Sequence, residues 1–148
     1  MNSPAAKPPV ISLGLERLKS LPANHEIWQL GFARMPSWVT EEREKPFRPL
    51  IALCRSALGG PVGNGDACAP DDPLGPAALA AVAQLAVTKG MGYRPQLVEV
   101  RDQSLADAVR ADLASCGIDV AVVERLAALD DVIADLMRHV GGRAASVR

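Results

Sequence analysis

The chain has 148 residues, enough for one domain with a real core, and balances 16 Lys and Arg against 17 Asp and Glu for a formal charge of −1. That balance lacks the excess of cations that phosphate binding needs, so a dedicated nucleic-acid surface is not expected. Hydrophobic residues make up 49% of the chain, yet few are aromatic, so the core should be aliphatic, with Trp28, Phe32, Trp38, Phe47 and Tyr93 as its large pieces.

Residues 1–9 are rich in Pro, Ala and Ser and read as a disordered tail. They carry no apolar h-region of a signal peptide, and no window reaches the length of a membrane span, so a cytoplasmic protein is expected. Val10–Ser20 places Ile11, Leu15 and Leu18 on one helical face, an N-terminal helical arm (residues 10–24) that caps the domain or swaps onto a second copy. A single α/β domain is expected over residues 25–141. Ile27–Met35 alternates, with Trp28, Leu30 and Phe32 on one face, and predicts a strand buried mainly on that side. Gly31 inside it marks a bulge, a bend or a close approach to the backbone. Pro36–Pro49 is either a loop whose aromatics fold over the sheet edge or an extension of the strand through Trp38-Val39-Thr40, and its Glu41–Lys45 charge run is a solvated stretch.

Leu50–Ala57 is the next strand, Gly59-Gly60 its turn, and Val62–Ala67 a glycine-weakened hairpin partner. Asp72 as N-cap with Pro73 at the first helical position starts a helix, with Pro76 as a second start one turn later. This helix is apolar nearly all round to about Lys89 and should be deeply buried. Gln96–Val100 is a short strand. Ser104 with Asp107 is a capping-box start for a helix that carries Leu105, Ala108, Val109 and Leu113 on one face and stops at Gly117. Ile118–Val123 is a second apolar run, best paired in parallel with the first across a right-handed crossover. Leu126 or Ala127 opens a last helix with a stripe of Leu129, Val132, Ile133, Leu136, Met137 and Val140. Gly141-Gly142 is expected to end it and leave a frayed tail over residues 142–148.

The order is therefore β-β-β-α-β-α-β-α, a mixed five-stranded sheet. IWQLGF as first strand, RPLIALCRSALGGPVG as the following hairpin, and RPQLVEVRDQSLADAVRADLASCGIDV as fourth strand, terminal Asp and helix together resemble the RNase H-like fold of integrase and transposase cores. The chain is also similar to an uncharacterised bacterial domain family without an established activity. The RNase H resemblance implies a site for two metal ions held by a carboxylate midway along the first strand, one after the fourth strand and one on a late helix. Asp102 matches the second. The first strand has no Asp or Glu, with Gly31 near the required place, and Asp130, Asp131 and Asp135 lie off the apolar stripe of the last helix as solvated charges. The site is read as absent.

Other chemistry is weaker. Asp102 beside Arg101 suits a helix N-terminus structurally, or a ligand at the strand ends. Asp66, Asp71 and Asp72 near Cys68 have oxygens for a divalent cation, but lack the spacing of a calcium loop and read as turn chemistry. GGPVGNG lacks the Lys and following helix of a phosphate loop. Cys54, Cys68 and Cys116 are odd in number and lack metal-ligand spacing, so free thiols in a reducing compartment are expected. No spacing pairs Cys54 or Cys116 with His25 or His139 as a base. Trp38 and Tyr93, with Met91 and Gly92, form a candidate apolar patch for a partner. The leading expectation is a non-catalytic interaction or accessory module without a cofactor, its partner a protein, including a second copy of itself. The alternatives are a metal-dependent nuclease or phosphohydrolase with a displaced site on Asp102, Asp66, Asp71 and Asp72, and a small-molecule binder at the strand ends.

Overall fold

A computed structural model describes residues 10–35, 48–89 and 91–146. The proposed Pro36–Pro49 connection, with Trp38 and the Glu41–Lys45 run, lies largely outside them, as does the tail over residues 1–9. The elements follow the expected order: α1 (Val10–Ser20), β1 (Ile27–Arg34), β2 (Leu50–Ser56), β3 (Val62–Cys68), α2 (Gly75–Ala83), β4 (Leu97–Val100), α3 (Gln103–Ser115), β5 (Asp119–Val122) and α4 (Ala127–Ser146). The strands form one sheet in the order β3-β2-β1-β4-β5. β1, β2 and β3 pair antiparallel, whereas β4 pairs parallel with both β1 and β5. The β4–α3–β5 crossover thus takes the geometry that its length requires.

The sheet is covered on both faces. On one, Trp28, Leu30, Ala52, Cys54, Val98 and Val100 pack with the buried residues of α2 and α3. On the other, Ala33 and Leu53 pack with Leu126 and Leu129 at the start of α4. Gln29 and Ala33 are buried along with Trp28 and Leu30, which corrects the expectation of a first strand buried mainly on one side. Alternation of side chains marks two faces, but it does not reveal a helix that arrives later in the chain to cover the second.

The glycines of β3 have a purpose other than flexibility. A Cβ at Gly63 would stand 2.5 Å from the Ala81 carbonyl oxygen, and one at Gly65 would stand 2.2 Å from that of Ala77. The alanine-rich α2 therefore lies directly on the β3 backbone. Past Ala83 this helix widens into a π-helical turn over Gln84–Thr88, and the Gln84 side-chain oxygen accepts the Asn64 N–H at 2.6 Å. α1 docks on α2 with Leu18 fully buried, and Arg94 donates to the carbonyls of Lys19 and Leu21 at its end.

Several ends differ from expectation. Asp72 does not cap α2: the helix begins at Gly75 after Leu74, with Pro76 in its first turn, and the Asp72 carboxylate accepts the Ala69 N–H at 2.9 Å in a preceding turn. The Ser104–Asp107 capping box is replaced by Asp102, whose Oδ1 accepts the Ser104 N–H at 3.0 Å, and Asp107 accepts from Gln103. An Asp two residues upstream of that amide reaches it directly, leaving Ser104 inside the first turn. Gly117 ends α3 as expected: its φ is +75°, and Ile118 N–H reaches back to the Leu113 oxygen at 2.9 Å, a Schellman closure. Gly141 and Gly142 do not end α4, which runs to Ser146 and takes in most of the proposed frayed tail. A helix-interior glycine costs only about 1 kcal/mol, so glycine alone does not stop a helix.

Candidate functional site

Where β1 continues beyond the end of β4, the sheet opens a crevice of about 270 Å³. Its walls include Leu30, Phe32, Leu50, Leu105, Leu126, Leu129 and Ile133, its strand edge is Gly31, and its polar lining is Arg101 and Asp102. In an α/β sheet this position, outside the carboxyl ends of adjacent parallel strands, is where ligands bind. Asp102 and Arg101 are exposed there. Asp102 is held by the N–H of Ser104 at 3.0 Å and its hydroxyl at 2.9 Å, both to Oδ1. Arg101 donates through Nη2 to both oxygens of Asp130 at 2.6 and 2.8 Å. Asp130, expected to be solvated, thus ties α4 to the residue that precedes Asp102. Asp135 pairs instead with Arg138 along α4.

Gly31 resolves the place where the resemblance asks for a first-strand carboxylate. The β1 register runs unbroken from Trp28 to Arg34, so Gly31 is not a bulge. A Cβ there would lie 3.1 Å from Leu129 Cδ2 and 3.5 Å from Leu126 Cδ1. The close approach considered from the sequence is therefore made by two leucines of the α4 start, and they occupy the space of a longer side chain.

The displaced carboxylates do not gather. Asp66 lies on β3, three strands across the sheet from β4 and so roughly 14 Å from the strand that delivers Asp102. It lines a separate hollow of about 320 Å³ with Cys68 and Asp72, and Asp71 lies in the loop beyond. Among the described residues no three His, Cys, Asp or Glu side chains converge as a metal site. Cys54 and Cys116 are buried free thiols and Cys68 is partly exposed. Burial pushes the Cys54 thiol far above its ordinary range, the opposite of what a nucleophile needs. His25 faces the Gln96 side chain at 3.2 Å rather than a thiol.

Tyr93, proposed as part of an exposed patch, is tied inward; Trp38 lies outside the described residues. The Tyr93 ring packs against Trp28 with centroids 6.1 Å apart, and its hydroxyl donates to Glu26 Oε2. Glu26 Oε1 also accepts from Ser56 Oγ at 2.8 Å and from Trp28 Nε1 at 3.2 Å. Burial raises the Glu26 carboxyl, but the three donors, Tyr93 foremost, outweigh it and hold the group below its ordinary value. Tyr93 is pushed up to about 12 by burial and then by the adjoining carboxylate. Sequence reasoning missed this cluster. Its one signal was Glu26 two residues before Trp28, the spacing that puts both on one side of an extended chain.

Strand order, strand direction and helix placement define an RNase H-like α/β domain. The chain belongs to the DUF6930 family, described as a domain of unknown function, whose family model matches residues 14–137. Among solved structures it is similar to the HTLV-2 integrase catalytic core domain in complex with magnesium, in a trimeric form. That match has a TM-score of 0.49 and 14% identity, and covers 81% of this chain and 72% of the other. No curated protein matches it. No helix among the described residues is long and apolar enough to cross a membrane.

Proposed function

We propose that this domain is a non-catalytic RNase H-like module that acts by binding, as an accessory or interaction domain. The observation that carries the reading is the occupation of the first-strand acid position by Leu129 and Leu126 against Gly31. Two-metal phosphoryl transfer needs a carboxylate shared between the ions, and the side chains closest to that point are hydrocarbon. The remaining acids have other partners that support the same reading: Asp102 caps α3, and Asp130 holds Arg101. A protein partner, including a second copy of the chain, is the proposed target, since the composition offers no basic footprint for nucleic acid.

The test is a thermal melt of the whole chain with and without Mn²⁺ or Mg²⁺, repeated on Asp102→Ser, which keeps a capping oxygen but removes the charge. A cation that binds the folded state raises the midpoint by mass action. The reading expects no rise. A rise in the native chain that Asp102→Ser abolishes would replace it with the metal-dependent hydrolase reading.

A further inference from the structure

We infer that the crevice at the ends of β1 and β4 binds a small zwitterion with an apolar body, of the class of a free α-amino acid with a large apolar side chain. Its walls are almost wholly aliphatic and aromatic, and its volume of about 270 Å³ is that of roughly nine liquid waters. Hydrocarbon walls give such water few hydrogen bonds, so an apolar group that displaces it gains free energy. The polar lining is two adjacent residues of opposite charge, Arg101 and Asp102, and this selects among apolar ligands. A pure hydrocarbon would give neither group a partner, and a simple anion would meet the carboxylates of Asp102 and of Asp130, which holds Arg101 through Nη2. A simple cation would leave unused the Arg101 nitrogens that Asp130 does not take. A zwitterion satisfies both, its carboxylate toward Arg101 and its ammonium toward Asp102.

Both charges are pre-positioned. Arg101 is held through Nη2 by the two Asp130 oxygens, and Asp102 through Oδ1 by the N–H and hydroxyl of Ser104. A ligand would therefore lose little free energy in ordering them. Gly31, with Leu126 and Leu129 packed on it, forms part of the apolar wall against which the ligand's body would lie. No step of chemistry is implied: the site would hold a ligand and report its presence.

The experiment titrates the whole chain with L-phenylalanine and L-leucine, reading calorimetric heat and backbone amide shifts. Two analogues of phenylalanine serve as controls, 3-phenylpropionate without the ammonium and phenethylamine without the carboxylate. The expected result is millimolar or tighter binding of both amino acids, shifts centred on Gly31 and residues 126–129, and about tenfold or greater weakening for each analogue. Arg101→Gln should weaken phenylalanine but not phenethylamine, and Asp102→Ser should weaken phenylalanine but not 3-phenylpropionate. Absence of saturable binding at millimolar concentration overturns the proposal. So does equal binding of the amino acid and both analogues, which would make the crevice merely greasy. Should either variant fail to fold, the analogue series on the native chain decides. None of these outcomes bears on the Mn²⁺ melt.

Discussion

The side-chain oxygen of Gln29, on the central strand, accepts the backbone N–H of Leu129 at 3.0 Å. Leu129 is the third residue of α4, so this is the bond an N-cap side chain normally makes, and the residue in that capping place, Leu126, has no acceptor to offer. The strand supplies the cap instead. The other end of the Gln29 amide donates to Glu99 on β4 at 3.2 Å, so one buried side chain links β1, β4 and the helix that closes the second face. Gln29→Met keeps the volume and removes both bonds. It should lower unfolding free energy by about 1–3 kcal/mol in urea, with faster hydrogen exchange at Leu129, because a helix-end amide is left buried without a partner. An unchanged urea midpoint would show that water replaces the Gln29 oxygen.

That bond also shows how far the sequence is legible. The order of elements, the apolar α2, the parallel β4–β5 pair and the Gly117 stop are all local signals, written in side-chain period and turn chemistry. Gln29 reads locally as a polar residue on a solvent face, and only the arrival of α4, a hundred residues later, makes it a buried cap. Glu26 is similar: its donors Ser56 and Tyr93 come from β2 and from the approach to β4. At the candidate site, Asp102 was legible because a strand end followed by a helix start fixes its place. The Arg101–Asp130 pair and the leucines that fill the space at Gly31 were not, since both depend on how α4 crosses the sheet. Asp72 misled because its Asp-Pro pair matches a helix start and a turn equally well.

The close contact between β3 and α2 predicts an order among glycine substitutions. Gly65→Ala and Gly63→Ala place a methyl within 2.5 Å of a helix carbonyl oxygen, and backbone cannot yield as a side-chain tip does. Each should cost about 3 kcal/mol or more in chemical denaturation, at the upper end of overpacking penalties. Gly60→Ala meets nothing within 4 Å, and its φ of +96° leaves only a conformational cost of about 1–2 kcal/mol. Equal losses at all three positions would argue that the helix does not rest on β3.

Tyr93 and Glu26 give opposite limbs of a pH profile. The Glu26 carboxyl is held below its ordinary value in the folded chain, so the stability it adds is full above the ordinary glutamate range and is lost as pH falls through the lower, folded value. Tyr93 is raised from about 10 to about 12, so its neutral form is favoured by folding, and stability declines as pH rises between those values. Tyr93 is the only tyrosine in the chain, so tyrosinate absorbance reads it directly. The titration midpoint should be near 12 in the folded protein and near 10 in urea. Tyr93→Phe should remove the alkaline limb, and Glu26→Gln should flatten the acid limb and bring the Tyr93 midpoint down. A folded-state midpoint near 10 would mean the hydroxyl is neither buried nor held by Glu26.

The proposed function is tested most directly by placing an acid at Gly31, where the resemblance drawn from the sequence asks for one. Gly31→Asp puts a carboxylate where Leu129 Cδ2 stands 3.1 Å and Leu126 Cδ1 stands 3.5 Å from the new Cβ. To fit, the leucines must move away from Ala33 and Leu53, with which they form the second core. The charge then lies against hydrocarbon, with Asp102 and Asp130 committed to Ser104 and Arg101. The variant should be destabilised by about 3 kcal/mol or more, and Mn²⁺ should restore none of it, because one new carboxylate among leucines does not assemble a cation site. If Mn²⁺ instead raised the midpoint of Gly31→Asp but not of the native chain, the scaffold would retain the other ligands of a metal site. The absence of a metal site in the proposed reading would then rest on one residue, and not on the way α4 packs against the sheet.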